Sequence, residues 1–65
     1  MLMEERQREI AASIEVDGRI LVSEITTRYE ISEESARRDL RMLEQKGLCK
    51  RVHGGAVRMH QVGLR

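Results

Sequence analysis

Sixty-five residues leave room for one domain with a limited core and modest net stability. Tyr29 is the one aromatic residue, which excludes the stacking platform of a cold-shock or RRM-type RNA binder. A lone cysteine excludes an intrachain disulfide and suits a reducing, cytoplasmic setting.

No apolar run approaches the ~20 residues needed to span a membrane. The start, Met1-Leu2-Met3-Glu4-Glu5, lacks the basic and apolar regions of a signal peptide. The net charge of +1 conceals an asymmetry. Residues 1–36 hold four arginines and nine acidic groups, a net of −5. Residues 37–65 hold eight Lys or Arg and two acidic groups, a net of +6. A basic half following an acidic one gives a directional electrostatic footprint.

The first helix is expected from about Glu4 to Val16. Ile10 and Ile14 stand at i, i+4, with Met3, Ala11 and Gln7 on or near the same stripe. Glu4 and Glu5 suit its positive end. Asp17-Gly18 signals a turn. Arg19-Ile20-Leu21-Val22 is short and rich in β-branched residues, so it reads as a brief strand. Ser23 is the expected N-cap of a short helix through Tyr29, with Ile25 and Tyr29 facing inward. Glu30-Ile31-Ser32 forms a tight connection, Ile31 buried between two helices.

The third helix is expected from about Glu33 to Lys46, capped by Ser32 and stopped at Gly47. Ala36, Leu40 and Leu43 form an apolar seam at i, i+4 and i+7. Arg38 and Arg41 project from the opposite side, with Arg37 and Ser35 on its flanks. Leu48 to Val52 alternates as a strand, with Leu48, Lys50 and Val52 on one side. His53-Gly54-Gly55 is a hairpin turn and Ala56-Val57-Arg58 the returning strand. Residues 59–65 show no period and are expected to be a disordered tail or the start of a linker.

Two helices joined by a three-residue turn form a helix-turn-helix, and a following hairpin makes it a winged one. The expected fold is therefore mainly α with a small β-hairpin over residues 1–58: three helices and a two- to three-stranded antiparallel sheet.

This arrangement suits double-stranded DNA. An arginine fork donates two hydrogen bonds to guanine, and phosphates need only charge and donors. Arg38 is the candidate for base edges; Ser35, Arg37 and Arg41 are candidates for bases or phosphates. On the wing, Lys50, Arg51, His53 and Arg58 supply charge, and Gly54 and Gly55 let backbone amides approach the duplex. Asp39 would repel phosphate, so it is expected in a structural ion pair with Arg28 or Arg51. A solvated helix face would carry the same arginines, and Gly54-Gly55 would serve any hairpin; the preceding helix and turn favour DNA. The competing reading is a winged-helix protein-interaction module without DNA binding, whose helix face would be apolar or acidic.

No enzyme is expected: there is neither a nucleophile elbow nor a GxxxxGK[ST] loop. Cys49, His53 and His60 lack metal-ligand spacing, so no metal or other cofactor is expected.

The chain resembles the N-terminal DNA-binding domain of the DeoR family of bacterial transcriptional regulators. The likeness runs through Glu5-Arg6-Gln7-Arg8-Glu9-Ile10, Val22-Ser23-Glu24-Ile25 and Ser32-x-x-Ser35-x-Arg37-Arg38-Asp39-Leu40. It closes on Gly47-Leu48 and Arg51-Val52-His53-Gly54-Gly55-Ala56-Val57. It covers about residues 4–58, and its two halves are specific in combination. The resemblance implies a winged helix that binds operator DNA as part of a homo-oligomer, commonly repressing a carbohydrate-metabolism operon. It also implies a larger C-terminal domain that binds a sugar phosphate, outside these residues; the chain is then expected to be an excised domain or truncated product. Ser35 replaces the family's usual threonine, keeping the hydroxyl and losing a methyl. Glu30 stands where glycine is frequent, at a cost of roughly 1 kcal/mol if its φ is positive.

Overall fold

The computed structural model describes residues 1–59, so the expectation for the rest of the tail lies outside the described residues. The chain runs α1 (Met3–Asp17), β1 (Arg19–Leu21), α2 (Val22–Tyr29), α3 (Glu33–Gln45), β2 (Lys50–Val52) and β3 (Gly55–Val57). The three strands form one antiparallel sheet in the order β1-β3-β2, the three-stranded form of the expected winged helix-turn-helix.

Local chemistry sets most boundaries. The Leu2 N–H that opens α1 donates to Glu5 Oε1 at 3.1 Å. Gly18 ends the helix with φ 89°, its N–H donating to the Ile14 carbonyl at 2.7 Å. In α3, the Ser32 hydroxyl accepts the Ser35 N–H at 3.1 Å. Its far end is a Schellman turn: Gly47 N–H donates to Glu44, Leu48 N–H to Leu43, and Gly47 takes φ 78°.

Three boundaries differ from expectation. Val22, not Ser23, opens α2: the strand passes straight into the helix, and Glu24 Oε1 accepts the Leu21 N–H at 2.8 Å. Ser23 lies inside the helix and is exposed. The second strand starts at Lys50 because Leu48 belongs to the Schellman turn. Leu48, Lys50 and Val52 do turn outward, while Cys49 enters the core. The returning strand is Gly55–Val57, and Arg58 prolongs its pairing through N–H donation to the Gly18 carbonyl at 2.8 Å.

Ile10 and Ile14 from α1, Ile20 from β1, Ile25 from α2, and Leu40 and Leu43 from α3 meet in one core with Ala36, Cys49 and Ala56. Each large side chain so buried contributes about 1.5–3 kcal/mol, which sets α3 against both other helices and the sheet. Tyr29 and Ile31 pack partly against this core. The α2–α3 turn places Glu30 at φ 55°, ψ 48°, so the left-handed cost is incurred.

Candidate nucleic-acid interface

The third helix has two chemically distinct faces. Ala36, Leu40 and Leu43 are buried, and Asp39 joins them with no exposed surface. Ser35, Arg37, Arg38 and Arg41 lie away from that seam, as expected. Arg37 is held by Glu33 at 3.4 Å and Arg41 by Glu34 at 3.3 Å. Glu44, three residues on from Arg41, is taken by Arg51 instead. Both helix pairs are solvent-exposed, so each contributes ~0–1 kcal/mol and yields readily to a phosphate. Arg38 alone of the three has no carboxylate within ion-pairing distance among the described residues. The Ser32 hydroxyl donates to Ser35 Oγ at 3.1 Å, which leaves the Ser35 hydroxyl proton available to an acceptor.

A cleft of about 500 Å³ separates the hairpin from the starts of α2 and α3. Arg37, Arg51, His53, Gly54 and Gly55 line it, together with Ser23 and Glu33. Arg37 therefore links the helix face to the wing. Ser23 and Glu33 were not candidates, because their place beside the hairpin depends on tertiary packing.

The wing candidates divide. Lys50 and His53 are exposed. Arg51 fastens the hairpin to α3: its main-chain N–H and its Nε donate to the Glu44 carboxylate at 3.0 and 3.1 Å. Those donors, the backbone one first, hold the Glu44 pKa below the usual carboxylate range. Arg58 lies apart from the hairpin tip, its guanidinium donating to the Glu15 carbonyl at 2.7 Å near the end of α1. Gly54 is exposed and takes φ 82° in the turn. Gly55 is buried, and its reason for being glycine is internal: a Cβ there would stand 2.1 Å from the Ile20 carbonyl oxygen. Close backbone approach at Gly55 thus serves the β1 strand.

The expected partner of Asp39 also needs correction. Arg28 donates to Ser13 Oγ at 3.0 Å and lies 5.8 Å from the Tyr29 ring centre; Arg51 is committed to Glu44. Arg6 of α1 takes their place. Its Nε and Nη2 donate to Asp39 Oδ2 and Oδ1 at 2.5 and 3.1 Å, and Gln7 Nε2 donates to Oδ1 at 3.0 Å. The hydrogen bond to Asp39 raises the Arg6 pKa, adding to the charge preference of a guanidinium that is protonated in any case. A signal existed: Arg6 stands one turn before Ile10 on the buried side of α1, where an arginine needs a buried partner.

Cys49 is buried and His53 exposed; His60 lies outside the described residues. Among the described residues no helix is long and apolar enough to cross a membrane.

Comparison with known proteins points to the same helix-turn-helix fold. The DeoR-like helix-turn-helix domain matches residues 6–62. The chain is 41% identical over 61 residues to the HTH-type transcriptional regulator YulB of Bacillus subtilis, covering 94% of the chain and 24% of that protein. It is 45% identical over 56 residues to the lactose phosphotransferase system repressor of Streptococcus mutans (86% and 22%). It is 40% identical over 55 residues to the putative galactitol utilization operon repressor of Escherichia coli (85% and 49%). No solved structure gives a significant match. The chain spans about a quarter of the length of relatives such as YulB.

Proposed function

The chain belongs to the family of DeoR-like helix-turn-helix domains, and we propose that it reads operator DNA by inserting α3 into the major groove. One observation carries this reading above the rest. Arg38 is exposed and has no carboxylate partner among the described residues, on the side of α3 opposite Ala36, Leu40 and Leu43. Its fork contacts base edges, bidentate to a guanine. Ser35, Arg37 and Arg41 contact phosphates or neighbouring bases, exchanging Glu33 and Glu34 for the duplex. Lys50, His53 and the Gly54 amide touch flanking phosphates, with Arg51 bracing the hairpin behind them.

In the whole protein, this domain acts as the operator-binding part of a repressor of carbohydrate metabolism. The relatives named for lactose and galactitol repressors support that reading. The remainder of such a protein supplies oligomerisation and the sugar-phosphate site. Selection of duplexes from a random pool by the chain, followed by sequencing, tests the DNA reading. A recurrent motif is expected, with half-sites about 10–10.5 base pairs apart or a multiple of that if two copies bind. A pool that gains no motif after repeated selection contradicts it.

A further inference from the structure

We propose that Arg6 and Asp39 form a positioning pair that sets the rotation of α3 and thereby the sequence preference of the domain; this rests on the DNA-reading role of Arg38. The apolar seam of Ala36, Leu40 and Leu43 holds α3 against the core, but apolar contact is non-directional. It resists removal of the helix more than rotation about its axis. A fork-to-carboxylate pair is directional: two parallel donors, with Gln7 as a third, tolerate little change in angle. The anchor is adjacent to the reader, since Asp39 follows Arg38 and shares its helical turn. A rotation of about 20° carries a side chain at a radius of ~6 Å through about 2 Å. A bidentate contact to guanine accepts donor–acceptor distances of only about 2.7–3.2 Å.

Energetics point the same way. A buried ion pair is seldom more stabilising than well-packed apolar residues of similar size, because its desolvation offsets its attraction. The network therefore gives α3 a defined azimuth, which neither the seam nor net stability requires.

The test compares the native chain with the double variant R6M/D39L, which removes the pair without leaving a buried charge. Each is titrated with a duplex selected by the native chain and with a scrambled duplex, at two salt concentrations. The variant is expected to bind the selected duplex about tenfold or more weakly. Its affinity for the scrambled duplex and its salt slope should stay within about twofold of native. The wing contacts do not turn with α3, and long charged side chains on α3 follow a phosphate through a shift of about 2 Å that a bidentate base contact does not tolerate. A thermal melt confirms that it is folded. If it is not, Arg6→Lys takes its place, keeping the charge but losing the fork, with the same direction of change expected. Equal weakening on both duplexes, or no weakening, overturns the pair as a specificity device while leaving the DNA reading intact. A native chain that fails to distinguish the two duplexes overturns both.

Discussion

Arg38 and Asp39 are neighbours in the chain and opposites in the fold: Arg38 is exposed and without a carboxylate partner among the described residues, whereas Asp39 is wholly buried against Arg6 and Gln7. One peptide unit thus joins the side chain proposed to read bases to the one proposed to anchor the helix.

Removal of Arg6 should reveal what the anchor costs when left alone. Arg6→Ala strands the Asp39 carboxylate in the core, a loss of about 3–5 kcal/mol. A domain of this size has roughly 3–10 kcal/mol in total, so urea titration should find the variant's stability lower by about a third or more. A midpoint close to native would show that water readily replaces the guanidinium.

Three glycines separate two kinds of requirement. Gly47 and Gly54 take positive φ with open space where a Cβ would go, so alanine at either should cost about 1 kcal/mol. Gly55→Ala instead drives a methyl into the Ile20 carbonyl and must part β1 from β3. It should cost the most of the three, about 1–3 kcal/mol or more. Urea midpoints for the three variants check the order.

Glu30 is a site of stored strain. Glu30→Gly relieves the left-handed conformation and loses some of the gain to greater freedom of the unfolded chain. A net gain of roughly 0.5–1 kcal/mol is expected, or a few degrees in Tm. An unchanged or lower Tm contradicts this account of the turn.

Burial first, and then the nearby Glu44 charge, push the Cys49 thiol pKa up. Its sulfur lies within the core, 3.8 Å from the Leu40 carbonyl. An alkylating reagent at pH 8 should modify the native chain at least about a hundredfold more slowly than the urea-unfolded one. The sign for stability follows from the folded pKa lying above the unfolded one. The contribution is full below the ordinary thiol pKa of about 8.5 and is lost as pH rises through the folded value. Cys49→Ala should remove that part of the alkaline decline.

Features set by near neighbours were legible in the sequence. The Ser32 cap, the Gly18 and Gly47 stops and the Ala36-Leu40-Leu43 seam each depend on residues within a few positions of one another. The arginine face of α3 followed from the same periodicity. Asp39 was recognised as structural, but Arg6 is 33 positions away, and Arg28 and Arg51 offered the same charge. The Gly55 requirement was hidden because the atom it must avoid belongs to β1, which precedes it by two helices. Arg58 read as part of the wing because it adjoins the returning strand, yet its side chain finds a carbonyl at the end of α1.

The central claim is that the exposed face of α3 reads base sequence through Arg38. Its most direct test is the affinity of Arg38→Ala against Lys50→Ala, each on the selected and scrambled duplexes. Arg38→Ala is expected to lose about 1–3 kcal/mol on the selected duplex and to relax preference at one base position. Lys50→Ala should weaken both duplexes alike and reduce the salt slope by about one. An Arg38→Ala isotherm indistinguishable from native on the selected duplex would contradict the claim.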